Sequence, residues 1–134
     1  MAGRAILNTA LGFLEIVSTD DAICKLSMLD QRPDHLGEQS SDAILKTCVE
    51  EIEAFFEGRL LQFSVPVAQT GSDFQQGVWA ELLKIPFGET ISYLELSKRI
   101  GDVKAIRAVG TTNGKNQIAI IVPCHRVIGS NGTL

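Results

Sequence analysis

Cys124 and His125 stand side by side directly after Pro123, and together they could support nucleophilic chemistry. The thiolate is the nucleophilic form of cysteine, and an ordinary thiol, with a pKa of about 8.5, is only a few per cent ionised at neutral pH. Mostly apolar residues predict a short buried strand over Gln117–Val122, followed by a helical turn over Cys124–Ile128. The first turn of a helix presents unpaired N–H groups and the positive end of the helix dipole, which both favour a thiolate. A Cys-His pair whose side chains point apart is the alternative that the dipeptide alone leaves open.

The two other cysteines, Cys24 and Cys48, fall at apolar positions of a predicted strand and a predicted helix, which favours buried hydrophobic roles. Three cysteines cannot all pair within the chain, and neither a C-x-x-C pattern nor a Cys/His cluster predicts a zinc site. We therefore expect no metal and a reducing compartment. That means the cytoplasm, or the nucleus if the source is eukaryotic.

Length and composition predict a globular protein. The chain has 134 residues, of which 45% are hydrophobic, enough for one domain or for a small subdomain joined to a second one. The N-terminus has no basic stretch followed by an apolar core, so the sequence predicts no secretion signal. The longest wholly apolar run, Ile118–Pro123, is far shorter than the roughly 20 residues that a membrane span needs.

Charge is distributed unevenly along the chain. The net charge of −4 argues mildly against a nucleic-acid partner. Residues 1–66 carry 5 Lys/Arg and 11 Asp/Glu, a net of −6, whereas residues 67–134 carry 7 and 5, a net of +2. Any anionic partner is therefore expected at the C-terminal half.

The N-terminal half reads as strands followed by a helix. Three β-branched and apolar runs predict an antiparallel meander: Ala5–Thr9, Phe13–Thr19 and Ala22–Leu29. Asp30–Ser40 is polar and predicts a loop in which His35 is exposed. Apolar residues at helical spacing follow from Ser41, a candidate cap, to Gly58. Leu60–Val67 predicts a fourth strand or an extended connector, and we place the domain boundary near Val65–Thr70.

The C-terminal half reads as mostly helical. Two capping boxes, Ser72 with Gln75 and Ser92 with Glu95, predict helix starts. Phe74 and Trp79 are expected in the core on the apolar stripe of the first helix. Gly101 ends the second helix, Asp102 caps a third over Val103 to about Thr112, and Asn113-Gly114 breaks it. Two short helices joined by a tight turn are typical of a helix-turn-helix.

The predicted fold class is therefore α/β in the α+β sense, with two parts. Residues 1–66 form a small antiparallel-sheet subdomain. Residues 67–134 form a mostly helical domain that contains the helix-turn-helix and Cys124.

Several segments of the C-terminal half resemble one known family in order and spacing. Ile121–Ile128 resembles the active-site signature of the O6-alkylguanine-DNA alkyltransferases, the methylated-DNA–protein-cysteine methyltransferases. Ile85–Tyr93 resembles that family's entry into its helix-turn-helix, and Ala105–Gly110 resembles its second helix. Asn116 lies eight residues before Cys124, as it does in the family.

The resemblance is strong from about residue 74 to residue 132 and loose over residues 1–66, where only the order of strands before a helix agrees. It implies a DNA-repair protein that binds duplex DNA in the minor groove and rotates the alkylated nucleotide out of the stack. The alkyl group would pass irreversibly from O6 of guanine, or from O4 of thymine, to the cysteine. The implied protein is a monomer that needs no cofactor or metal, binds double-stranded DNA carrying O6-alkylguanine and does not bind a membrane.

The resemblance also implies roles at the reacting centre. Cys124 is the acceptor nucleophile, and His125 is a base that acts on the thiol through a water. Tyr93 crowds the backbone phosphate and assists proton transfer at the flipped base. Asn116 holds the turn between the reading helix and the active-site segment.

Further implied residues contact DNA. Arg107 is the finger that fills the space vacated in the base stack. The small side chains of Ala105 and Ala108 let the helix approach the groove closely, and Thr111 belongs to the same DNA-binding set, as does Tyr93.

Each of these residues also has a purely structural interpretation. Tyr93 could be a half-buried aromatic that packs on the preceding loop, and Arg107 a solvated helix charge. Asn116 could be an ordinary turn former. For Arg126, a structural ion pair is the favoured interpretation.

Family members continue past the position of Gly132 into a loop that closes over the flipped base and a final helix, where a glutamate orients the histidine. This sequence ends at Leu134, so none of its residues matches these features. Without that carboxylate, His125 would lose its orienting partner, which in general costs catalytic power. We therefore expect either a shortened form of a longer protein or a weakened enzyme.

Two other classes of function are alternatives. A protein that recognises alkylated DNA without repairing it would resemble this chain but lack the acceptor cysteine. A plain helix-turn-helix regulator would leave the Pro-Cys-His-Arg segment unexplained, and residues 1–66 lack the cysteine cluster of a metal-bound methylation sensor. The presence of Cys124 favours alkyl transfer.

Overall fold

The computed structural model describes residues 3–34, 37–38 and 43–129. The chain divides into two compact units, Met1–Gln69 and Thr70–Leu134. Within the described residues, no helix is both long enough and apolar enough to cross a bilayer.

The first unit is built on an antiparallel sheet. Strands β1 (Gly3–Thr9), β2 (Gly12–Ser18) and β3 (Ile23–Met28) pair in sequence order, which confirms the predicted meander. The segment predicted as loop contains a two-residue strand, β4 (Gly37–Glu38), which pairs with Ala5 and Ile6 of β1. The polar composition of this segment did not predict β4, because an edge strand depends on backbone hydrogen bonds rather than on apolar side chains. The sheet order is β3-β2-β1-β4.

Helix α1 (Ala43–Phe56) packs on this sheet. It buries Leu45, Cys48, Val49 and Ile52, as the helical spacing predicts. The proposed Ser41 cap and His35 lie outside the described residues. The connector over residues 60–67 does not form the fourth strand; within it Val67 pairs with Ile23 in a parallel bridge, and the preceding residues include bends.

The second unit is mostly helical. Its elements are α2 (Asp73–Leu82), β5 (Ile91–Ser92), α3 (Tyr93–Ile100), α4 (Ile106–Gly114) and β6 (Val127–Ile128). Trp79 is buried and its indole N–H donates to the Thr112 carbonyl at 3.2 Å, which joins α2 to α4. Phe74, predicted in the core, is only half-buried.

Caps set the helix starts. Ser72 and Gln75 form the complete reciprocal box at α2. At α3, the Ser92 hydroxyl accepts from the Glu95 N–H, while the Glu95 carboxylate accepts from Arg99. Gly101 ends α3 in the left-handed conformation at φ 95°, which glycine adopts without strain.

The fold class predicted from the sequence is confirmed.

Two predicted details around the site differ in the structure. Helix α4 ends at Gly114, two residues beyond the predicted end, and its last turn includes Asn113, whose side chain hydrogen-bonds Tyr93 and Cys124. The residues over Gln117–Val122 form turns instead of a strand. Ile120 there has φ 72°, a conformation incompatible with a strand.

Candidate active site

Two short parallel strands bring distant segments of the second unit together. Ile91 pairs with Val127, and Ser92 pairs with Ile128. Tyr93 follows β5 directly, and Cys124 lies three residues before β6. The start of α3 and the reactive segment are therefore joined through the backbone.

Cys124 begins a single 3₁₀ turn, Cys124–Arg126, which is shorter than the helical turn predicted to Ile128. The turn ends because Val127 is already extended, at φ −109° and ψ 126°, and enters β6. The Cys124 N–H donates to the Val122 carbonyl at 2.8 Å, so it is already paired. The thiol is half-buried. A turn this short has only a small helix dipole, less than the predicted helical turn would have. The reactivity of the Cys124 thiol is therefore expected to depend more on the neighbouring side chains.

Asn116 holds the turns that precede Cys124. Its Nδ2 donates to the Val122 carbonyl at 2.8 Å and to the Ile118 carbonyl at 3.4 Å, and its Oδ1 accepts from the Ile118 N–H at 3.1 Å. One side chain thus bonds the backbone on both sides of the left-handed Ile120. These bonds brace the turns between α4 and Cys124.

Asn113 joins two of the predicted site residues, and sequence reasoning missed it. Its Nδ2 donates to the Cys124 carbonyl at 3.2 Å and to the Tyr93 hydroxyl at 3.4 Å. The residue is only 7% exposed, and its Oδ1 is buried without a hydrogen-bond partner in the described part of the chain. A polar residue four positions after Val109, on the buried face of α4, was the signal available in the sequence.

Tyr93 is half-buried at the start of α3. Its ring lies close to Gly110 of α4, where an added Cβ would meet Cε1 at 3.9 Å. The ring therefore lies against α4. The hydroxyl meets the Asn113 amide as described.

His125 is exposed, and its imidazole makes no hydrogen bond to any described residue. Loss of surrounding water and the neighbouring Arg126 guanidinium both lower the pKa of His125. The ring is therefore neutral at neutral pH and able to accept a proton.

Arg126 is structural, but its partner is not a carboxylate. Its guanidinium donates to the Ile85 carbonyl at 2.6 Å and lies 5.7 Å from the centroid of the Phe87 ring. The predicted ion pair is therefore replaced by a carbonyl and an aromatic face. These contacts tie the reactive segment to the turn after α2.

The exposed face of α4 carries the residues that the resemblance assigned to DNA. Arg107, Ala108 and Thr111 are all exposed there, while Ala105, just before the helix, is half-buried. The Thr111 hydroxyl donates to the Arg107 carbonyl at 3.1 Å. Arg107 makes no ion pair with a described residue, so its guanidinium can engage a partner.

The remaining cysteines lie in the first unit. Cys48 is fully buried, and burial, together with the Glu51 carboxylate, raises the pKa of Cys48 to about 12. Cys24 is half-buried and its thiol donates to the Val17 carbonyl at 3.5 Å. Among the described residues, no group of three or more His, Cys, Asp or Glu side chains could hold a metal ion.

We expect iodoacetamide to label Cys124 and to leave Cys48 unlabelled in the folded protein. The reason is that Cys48 is buried and protonated at any ordinary pH, whereas the Cys124 thiol is partly exposed. Mass spectrometry of the two peptides after brief labelling at pH 8 measures the ratio. Protein unfolded in urea is the control, in which both cysteines should react. Native labelling of Cys48 at a rate near that of Cys124 would contradict the burial described here.

Comparison with known proteins identifies the family. The 6-O-methylguanine DNA methyltransferase ribonuclease-like domain matches residues 4–69, and the DNA binding domain of the same family matches residues 73–134. The methylated-DNA–protein-cysteine methyltransferase of Mycolicibacterium paratuberculosis is 42% identical over 130 residues, which cover 96% of this chain and 79% of that protein. The chain belongs to the methylated-DNA–protein-cysteine methyltransferase family. The family predicted from the C-terminal motifs is thereby confirmed, and it extends over the N-terminal half.

Solved structures of methylated-DNA–protein-cysteine methyltransferases share the fold. The crystal structure of the Mycobacterium tuberculosis O6-methylguanine methyltransferase matches with a TM-score of 0.87 and 40% identity, covering 100% of this chain and 82% of that one. The structure of Mycobacterium tuberculosis OGT in complex with DNA matches with a TM-score of 0.84 and 41% identity, covering 97% and 80%.

Proposed function

We propose that this protein repairs alkylated DNA by transferring the alkyl group from O6 of guanine, with O4 of thymine as a further substrate, to Cys124. One observation carries the proposal. In a chain of this family, a half-buried thiol lies in a segment that the Asn113 amide joins to the Tyr93 hydroxyl. Each protein molecule would act once, as a monomer.

The chemistry needs no co-reactant. The sulfur attacks the alkyl carbon, a C–S bond forms, and the bond between that carbon and O6 breaks with its electron pair going to the guanine. The thiol proton is lost to His125 through a water, and the leaving base gains one proton, so protons balance. The thioether product has no leaving group that water could use, so the protein is consumed.

DNA would be read by the α3–turn–α4 segment, used as a helix-turn-helix. The exposed face of α4 combines Arg107, which pairs with no acidic side chain among the described residues, with the short side chains of Ala108 and Thr111, which permit close approach to a groove. Because the reacting atom is unreachable inside a duplex, the damaged nucleotide must be rotated out of the stack. Arg107, which is exposed on α4, is the side chain that would fill the gap. A DNA complex of a family member, that of Mycobacterium tuberculosis, supports this partner.

The test is a single-turnover reaction with a duplex that carries one O6-methylguanine. We expect the Cys124 peptide to gain one methylene, at a yield that stops at one per protein molecule. Cys124→Ala is the matched control and should bind the duplex without gaining mass. Tight binding by the unaltered protein with no mass gain would overturn the proposal and indicate a reader of alkylated DNA.

The rate of transfer should depend on pH in a defined direction. Protonated His125 cannot accept the thiol proton, so the rate falls as the pH drops through the pKa of His125. Because that pKa is lowered by desolvation and by Arg126, the fall should begin below the ordinary histidine range near pH 6.5. Rates with free O6-benzylguanine between pH 5 and pH 8 measure it. His125→Gln should remove this limb, and a limb that survives the substitution would assign it to another group.

A further inference from the structure

Asn113 holds a polar atom in an unfavourable place. Its amide oxygen is buried and has no hydrogen-bond partner among the residues that the structure describes, whereas its amide nitrogen has two acceptors. Leaving a buried acceptor unpaired destabilises the folded state. Exceptions of this kind in a folded protein call for an explanation, and here the exception lies beside the reactive cysteine.

The Cys124 carbonyl decides which way the amide points. A carbonyl can only accept, so it requires the nitrogen end of Asn113 on its side. A reversed amide would set Oδ1 against the Cys124 carbonyl oxygen, two acceptors facing each other. The backbone of the reactive residue therefore fixes the orientation of the Asn113 side chain.

The amide in turn decides where the Tyr93 hydroxyl hydrogen points. A phenol oxygen both donates and accepts. Because Asn113 Nδ2 donates to that oxygen at 3.4 Å, the phenol hydrogen cannot point back at the amide. It is left free to donate elsewhere. An asparagine presenting its oxygen, or a water in the same place, would allow the hydrogen to turn inward.

We propose that Asn113 is a positioning residue that aims the Tyr93 O–H at the departing base. This inference rests on the proposed function, in which negative charge develops on the guanine as the bond to O6 breaks. A phenol hydrogen held toward the base stabilises that charge by donating a hydrogen bond. Asn113 itself touches no reacting atom and acts through Tyr93.

The test compares two leaving groups at the same sulfur. Guanine needs a hydrogen bond or a proton as it departs, whereas the iodide of iodoacetamide needs neither. Asn113→Leu keeps the side-chain volume but removes the amide. We expect it to slow transfer from O6-benzylguanine about tenfold, because the transition state loses the stabilisation of one hydrogen bond. The rate of Cys124 labelling by iodoacetamide should not change. Both rates are read from the mass of the Cys124 peptide.

A double-mutant cycle with Tyr93→Phe isolates the coupling. If Asn113 acts through the phenol, Asn113→Leu should cause no further slowing when the hydroxyl is already absent. Equal slowing on both reagents, unchanged transfer in Asn113→Leu, or additive losses in the double variant would each overturn the inference. Should Asn113→Leu fail to fold, as judged by circular dichroism, Asn113→Ala makes the same comparisons. Failure of the unaltered protein to react with O6-benzylguanine would instead refute the proposed function.

Discussion

Replacing Arg107 with alanine is expected to slow repair of O6-methylguanine in duplex DNA by about 100-fold, a loss of about 2.7 kcal/mol of transition-state stabilisation. Rotating a paired base out of the stack costs a few kcal/mol, and a side chain that occupies the gap offsets part of that cost. Arg107 is exposed on the outer face of α4 and makes no ion pair with a described residue. We therefore expect Arg107→Ala to leave the stability of the folded protein nearly unchanged.

The decisive comparison for Arg107 is with the free base O6-benzylguanine, which needs no rotation out of a duplex. Its reaction rate should be unchanged in Arg107→Ala. Arg59→Ala is a matched control, because it removes the same charge from an exposed arginine of the first unit, where it pairs with Glu57. Equal losses on duplex and free base would remove Arg107 from the base-rotating role. An equal loss in Arg59→Ala would reduce the effect to net charge.

Replacing Asn116 with alanine is expected to lower the free energy of unfolding by about 1–3 kcal/mol, because the loss removes the acceptor of the Ile118 N–H near the core and one of the donors to the Val122 carbonyl. The Asn116 side chain bonds the Val122 carbonyl and both polar backbone groups of Ile118. Ile118 and Val122 are themselves buried, so water replaces these bonds poorly. Alkyl transfer should slow as well, because the turn that presents Cys124 loses its brace.

Urea denaturation measures the first effect and the mass of the Cys124 peptide the second. Asn8→Ala is the control, since Asn8 is exposed on β1 and should change stability by less than about 0.5 kcal/mol. Asn116→Asp keeps the acceptor for the Ile118 N–H and should lie between the two. A stability loss in Asn116→Ala no larger than in Asn8→Ala would show that the turn does not depend on this side chain.

Local signals predicted most of the fold. The meander follows from alternating β-branched residues, and the starts of α2 and α3 follow from Ser72 and Ser92, whose hydroxyls cap the helices as predicted. Such features depend on residues within a few positions of one another. A single sequence therefore contains the information needed to place them.

The errors all concern residues whose conformation depends on distant partners. Gln117–Val122 has the composition of a strand, but the Asn116 side chain folds it into turns. Asn113 looks like a helix breaker because of the following glycine, yet Tyr93, 20 residues away, and Cys124, 11 residues away, hold it in the helix. Local propensity gave way to tertiary contacts at both places. The family resemblance singled out Cys124, Tyr93 and Asn116, and the structure links the first two of them through Asn113. Their roles in the reaction stay predictions.

The left-handed backbone at Ile120 sets stability and chemistry against each other. A β-branched residue at φ 72° is strained by roughly 1–2 kcal/mol, and a glycine would relieve that strain. Anyone who engineers this protein for heat resistance would begin with such a residue. Glycine would also give the unfolded chain more freedom and loosen the short path between Asn116 and the thiol. We therefore expect Ile120 to restrict the backbone between Asn116 and Cys124. Selection for thermal tolerance alone would replace Ile120 with glycine and lose that restriction.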